Sequence, residues 1–258
     1  MDNYKVEISK IIYGTSRLHH NFSRKKRYSL IKKAIEVGVN HFDTSPYYGY
    51  GLAEKELGLF IKKNPDIKIS IATKFGIKQK INLNSNIFFL YLIKIIEKLF
   101  PYFKKLNYDY SVQSANDSLN KSLLALNVSK IDILFIHEPR NSIKEYKELV
   151  AWLEKQIVNK KIRTWGFAGS KKYFLKWLVE TSIFPPILQI KSENGKPAEL
   201  SSLKNAHNIS YGYISNLVNP SKKEIYNLLA EVFKKNKNHS IIISTNKLKN
   251  LESIKYLL

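Results

Sequence analysis

The stretch Ile131-Asp132-Ile133-Leu134-Phe135-Ile136-His137 reads as a β-strand, and the chain after it keeps returning to the same pattern. A helical stretch from Ile143 to Asn159 leads to a strand from Ile162 to Phe167. A helix from Lys172 to Thr181 then leads to a strand from Ile187 to Ile190. Backwards from Ile131, the apolar positions Val112, Ala115, Leu119, Leu123 and Leu126 share one helical face. Before them come a β-branched strand from Ile67 to Lys74, a helix from Glu54 to Lys63 and a strand from Asn40 to Asp43. A helix from Ser29 to Val37, ended by Gly38, and a strand from Val6 to Tyr13 complete that half. Forwards from Ile190 lie a strand near Ile209 to Tyr213, a helix from Ser221 to Lys235, a strand from Ile241 to Ser244 and a helix from Lys247. Strand–helix alternation implies a parallel sheet with right-handed crossovers. About eight such units in about 250 residues fit a (β/α)8 TIM barrel better than an open doubly wound sheet. The expectation is one domain over residues 1–258, with its chemistry at the C-terminal ends of the strands.

Composition narrows the function classes. The chain has no cysteine, which excludes a disulfide scaffold, thiolate catalysis and Cys-ligated metal sites. No apolar run reaches the roughly 18 residues that cross a bilayer. The first residues lack the basic-then-apolar layout of a signal peptide, so a cytoplasmic setting is expected. Lys plus Arg number 43 against 21 Asp plus Glu, a net charge of +22. Such charge invites a nucleic-acid hypothesis. Most of the excess is scattered Lys, however, and clusters such as Arg24-Lys25-Lys26-Arg27 sit where helices show their solvent faces. No nucleic-acid partner is expected. The basic surface would favour anionic ligands, pyridine dinucleotides among them.

Four polar residues stand at or just beyond successive strand ends: Asp43, Tyr48, Lys74 and His137. Singly, each has an ordinary explanation, as a helix cap, a packed ring, a surface lysine or a core histidine. Together they suit proton delivery to a carbonyl oxygen as hydride reaches its carbon. A phenol titrates near pH 10, and a nearby ammonium such as Lys74 would make it more acidic. Asp43 would hold Lys74 charged and in place, and His137 could donate to the same oxygen. The set needs no metal.

With these residues in view, the segment from His41 to Gly49 followed by Gly51-x-Ala53-Glu54-x-x-Leu57-Gly58 resembles the first signature of the aldo-keto reductase superfamily. Thr73-Lys74-Phe75-Gly76 resembles its lysine motif. The segments from Ser118 to Leu126, Ile131 to His137 and Lys161 to Gly166 are similar to its succeeding elements. The resemblance implies a TIM barrel, a nicotinamide cofactor and a small-molecule carbonyl or sugar substrate. By position it makes Tyr48 the general acid, tuned by Asp43 and Lys74, with His137 orienting the substrate. It assigns cofactor contacts to Gly14, Thr15, Ser16, Asp43, Gln189, Tyr211, Ser244, Thr245, Asn246 and Lys247. Gln189 would meet the nicotinamide carboxamide and Tyr211 would stack on the ring, or simply pack in the barrel.

The chain departs from the pattern too. Ala168-Gly169 stands where many relatives have Ser-Asn, and Asn246 where an Arg often meets the adenosine 2′-phosphate, leaving Lys247 or Lys249 as substitute. NADP(H) is expected ahead of NAD(H). The cofactor loop is short and a C-terminal pocket-shaping tail is not evident. These losses support an alternative: a catalytically weak or inactive dinucleotide-binding regulatory protein on the same fold. Finally, an insert at about 77–110 carries the run from Ile87 to Phe100, whose polar positions 94, 97 and 98 share one helical face. A lid over the substrate pocket is the first expectation. A membrane-surface or protein contact is the second, and packing on the barrel rim the third.

Overall fold

Eight parallel strands close on themselves in the order β1-β10-β9-β8-β7-β6-β3-β2. In the computed structural model, which describes residues 8–78, 87–99, 106–140, 143–193, 207–213, 221–235 and 239–257, the barrel strands are as follows. They are β1 (Ile11–Gly14), β2 (His41–Asp43), β3 (Ser70–Phe75), β6 (Ile131–His137), β7 (Ile162–Gly169), β8 (Ile187–Lys191), β9 (His207–Tyr211) and β10 (His239–Ile243). The described helices are α1 (Arg24–Glu36), α2 (Leu52–Lys63), α3 (Ile87–Leu99), α4 (Val112–Leu126), α5 (Tyr146–Val158), α6 (Lys171–Thr181), α7 (Lys222–Lys235) and α8 (Leu248–Glu252). A 3-10 turn, Thr15–His20, follows β1. The architecture is the expected (β/α)8 barrel.

Strand alternation divides the apolar residues between two cores. One inward layer consists of Ile12, Ala72, Ile133, Phe135, Ala168, Ile187, Ile209 and Ile242. The intervening residues, such as Ile11, Tyr13, Phe42, Leu134, Ile136 and Leu188, join the helices in the outer core. Full burial of one such side chain is worth about 1.5–3 kcal/mol before its ordering entropy is counted. Two glycines allow close approaches in this packing. A Cβ on Gly166 would lie 2.5 Å from the Ile187 carbonyl oxygen and 2.5 Å from the Phe135 ring. One on Gly58 would lie 2.0 Å from the Ala125 carbonyl oxygen, where α2 crosses α4.

Several boundaries differ from the sequence reading. β1 begins at Ile11, and the first residues of the expected strand lie outside the described residues. α1 begins at Arg24, and one of its four clustered cations is no solvent-face residue: Arg27 is buried. Its Nη1 donates to the carbonyls of Asn21 and Phe22 at 2.7 and 2.6 Å, and its Nη2 pairs with Glu56 at 3.0 Å. Its planar fork satisfies groups just before the helix that its own backbone cannot reach. A two-stranded antiparallel piece, β4 (Ile77–Lys78) with β5 (Asn107–Tyr108), went unforeseen. Strands of two residues carry no periodicity to detect. α3 falls within the expected 77–110 insert, whose positions 79–86 and 100–105 lie outside the described residues. Among the described residues no helix is long and apolar enough to cross a membrane.

Candidate active site

β2 and β3 run side by side with Asp43 opposite Ala72, so Asp43 and Lys74 emerge on the inner face at the C-terminal mouth. Lys74 Nζ donates to Asp43 Oδ1 at 2.5 Å and to the Thr44 carbonyl at 2.9 Å, and both charged side chains are buried. From the opposite side of the ring, Gln189 on β8 donates its Nε2 to the same Asp43 oxygen at 2.8 Å. A buried carboxylate is stable only when so matched. The Gln189 Oε1 is buried with no hydrogen-bond partner among the described residues. Buried amide oxygens rarely lack a donor.

Tyr48 lies in the turn between β2 and α2, where Gly49 has φ +60° and Gly51 φ +86°. A Cβ on Gly49 would stand 2.6 Å from His19 Cβ, so the turn packs tightly on the 3-10 segment after β1. The Tyr48 ring has Lys74 Nζ 5.1 Å from its centroid. It also meets the His137 ring edge-on, at 6.3 Å and 89°. The structure therefore brings all four expected residues into one cluster, with Asp43, Lys74 and His137 buried and Tyr48 half-buried.

Burial dominates the electrostatics. It pushes the Tyr48 phenol well above its usual range, with the Asp43 charge adding to the rise. Burial also lowers Lys74, opposed by Asp43 and Glu54. It drives His137 well below 6.5, helped by the Lys74 charge, so the imidazole is neutral. Lys74 was expected to make Tyr48 more acidic. In this site desolvation of the phenol, joined by the Asp43 charge, works in the opposite direction.

The expected cofactor residues divide into two groups. Gly14, Ser16 and Ser244 meet at the β1–β10 edge: Ser16 Oγ donates to Ser244 Oγ at 3.1 Å, and a Cβ on Gly14 would fall 2.2 Å from that oxygen. Asn246 is half-buried, and Lys247 is exposed beside it. Tyr211, at the end of β9, packs on the inner layer, and burial chiefly raises its phenol. Thr15 and Thr245 are bonded within the protein. The Thr15 hydroxyl is within reach of Thr44 Oγ1 at 2.9 Å and the Asp43 carbonyl at 3.1 Å, fully buried. Thr245 Oγ1 accepts from the Lys247 amide and Asn250 Nδ2. Both hydroxyls take internal partners.

Three neighbours of the site went unnoticed in the sequence. Glu138, with φ +48°, follows His137 and bears electrostatically on Tyr48 and Tyr211. Tyr110 places its hydroxyl 2.8 Å from the carbonyls of both His137 and Glu138. Its ring fills the space beside Gly76, at φ +111°. Thr44 supplies the carbonyl for Lys74. Only Gly76, standing directly after the lysine motif, hinted at this packing.

Known proteins resemble the chain in sequence and in fold. The family model described as "Aldo/keto reductase family" matches residues 10–190. A D-threo-aldose 1-dehydrogenase from Pseudomonas sp is 27% identical over 137 residues, 52% of this chain and 41% of the relative. An L-galactose dehydrogenase from Arabidopsis thaliana is 27% identical over 143 residues, 54% of this chain and 37% of that protein. The matched segments thus span less than half of these curated relatives. Among solved structures, the holo form of an aldo-keto reductase from Bacillus halodurans superposes with a TM-score of 0.72 at 15% identity. That match covers 97% of this chain and 87% of the other. A glycerol dehydrogenase from Gluconobacter oxydans gives 0.69 at 18% identity, covering 99% and 90%. At such identities the structural likeness speaks for the fold.

Proposed function

The chain belongs to the aldo/keto reductase family, and from that premise we propose that it is an NAD(P)(H)-dependent oxidoreductase. It reduces an aldehyde, ketone or sugar carbonyl, or oxidises the matching alcohol, in a cytoplasmic setting. The observation that carries this reading is the buried Asp43–Lys74 pair, clamped by Gln189 beneath Tyr48 and His137.

The residues present fit a nicotinamide cofactor. The donorless Gln189 Oε1 suits a carboxamide N–H, and Tyr211 offers a ring at the same mouth. Lys247 and Lys249 are exposed cations shortly after Ser244, and such charge beside an adenosine 2′-phosphate would favour NADP(H) over NAD(H). A bound reduced nicotinamide supplies the hydride to the carbonyl carbon. Tyr48, kept protonated by burial, gives its proton to the carbonyl oxygen, and Lys74 faces the phenolate that remains. Neutral His137 donates an N–H to the same oxygen and fixes its direction. Asp43 holds Lys74 in place without touching the substrate. The sugar-named relatives support aldoses within the substrate class.

A second reading, a dinucleotide-binding regulator with little turnover, is favoured by Ala168 and Gly169, which bring no polar side chain to the end of β7. A panel of aldehydes, ketones and aldoses, with NADPH and NADH followed by the absorbance of the reduced ring, separates the two. Turnover on any member supports the enzyme. Tight dinucleotide binding with no turnover across the panel supports the regulator.

A further inference from the structure

α3 leaves the barrel after β3 and lies against the segment that follows β1. The Tyr91 hydroxyl donates to the His19 carbonyl at 3.1 Å, and the Tyr91 ring meets that of Phe22 at 5.6 Å. With Tyr91 turned to the body of the protein, the helix carries an apolar stripe outward. Leu92, Ile95, Ile96 and Leu99 recur at the spacing of one helical face. Leu92 is 43%, Ile95 55% and Leu99 67% exposed. Phe22, 60% exposed, extends the stripe beyond Tyr91. After Phe22 and Ser23 come Arg24, Lys25 and Lys26, all exposed on the first turn of α1 and Arg24 3.6 Å from Glu56, and Arg17 is exposed in the 3-10 turn.

We propose that α3 and the adjoining Phe22–Lys26 segment form a docking surface for an anionic lipid bilayer. The Leu92–Ile95–Ile96–Leu99 stripe enters the interface, and the neighbouring cations meet lipid headgroups. The helix has 13 residues, too few to span a bilayer and suited to lying in its plane. A closed lid would bury its apolar stripe against the barrel mouth, whereas Leu92, Ile95, Ile96 and Leu99 stand exposed. A second copy of the chain would bring one +22 molecule against another, which repulsion opposes. A negatively charged membrane surface answers both the apolar stripe and the basic cluster.

The test uses the full chain with vesicles of phosphatidylcholine alone and of phosphatidylcholine with phosphatidylserine, read by co-sedimentation. Binding is expected to the mixed vesicles and to weaken as salt rises. L92D/I95D should reduce partitioning at least about tenfold, since two charges would enter the interface. K25E/K26E should reduce it by about fivefold for each lysine lost, or more. Thermal melts check that both variants are folded. The proposal is overturned if the native chain ignores phosphatidylserine vesicles, or if folded L92D/I95D binds them as well as native. A lipid-free dimer dispersed by L92D/I95D would assign the stripe to a second copy instead, and also overturn it.

Discussion

Replacing Lys74 by Met keeps a side chain of similar length and removes the charge that faces Asp43. The pair is 2% and 4% exposed with its atoms 2.5 Å apart, so the change leaves a carboxylate buried with Gln189 Nε2 as its remaining side-chain donor. The Thr44 carbonyl also loses the ammonium. Removing one member of a buried pair costs about 3–5 kcal/mol, mostly the burden of the stranded charge. At about 2–4 °C per kcal/mol for a chain of this size, the melting temperature should fall by roughly 6–20 °C. The double variant D43N/K74M strands no charge, and Gln189 can still donate to the new amide oxygen. It should recover most of the loss, to within about 2 kcal/mol of the native chain. Urea melts of the native chain, both single variants and the double variant close the cycle. A cost below about 1 kcal/mol in K74M, or a double variant as unstable as the sum of the singles, would refute the reasoning.

Acid should destabilise the fold through His41, whose ring nitrogens are fully buried and unpartnered among the described residues. Burial lowers it to about 3 from 6.5, so its stabilising share is present above pH 6.5 and drains as pH falls towards 3, by up to about 5 kcal/mol. Urea midpoints at pH 7.5 and 4.5 should therefore differ less in H41L than in the native chain, and equal acid sensitivity would contradict this. Glu54 behaves oppositely: burial raises it to about 7 from 4.5 despite the Thr73 hydroxyl bonded to it at 2.6 Å. Its share is full below pH 4.5 and is lost as pH rises through 7, by up to about 3 kcal/mol. E54Q should gain on the native chain between pH 4.5 and 8, and parallel stability profiles would count against that. G58A should cost about 1–3 kcal/mol, because a Cβ 2.0 Å from the Ala125 carbonyl forces α2 and α4 apart. An unchanged melting temperature would mean the helices separate at no cost.

The barrel was legible because its strands alternate and its helices repeat on one face, and Ile133, Phe135 and His137 point inward together for the same reason. The residues of the site were legible because each stands at or just beyond the end of a strand. Their contacts were not. Gln189 reaches Asp43 across the barrel from 146 positions away, and no local pattern encodes that bond. Arg27 looked solvated because a charge cluster does not reveal which member turns inward. α3 shows the same limit: periodicity defines its apolar stripe, while the Tyr91 anchor decides that the stripe faces outward. Glu138 owes its place to one left-handed residue after a strand, which a glutamate does not announce.

In the proposed reaction Tyr48 delivers the proton while a reduced nicotinamide delivers the hydride. Its most direct test is carbonyl-dependent oxidation of NADPH by the native chain and Y48F, with dinucleotide affinity measured on both. The prediction is measurable turnover in the native chain, a fall of about 10²–10⁴-fold in Y48F and unchanged affinity. Native rates in Y48F would contradict it.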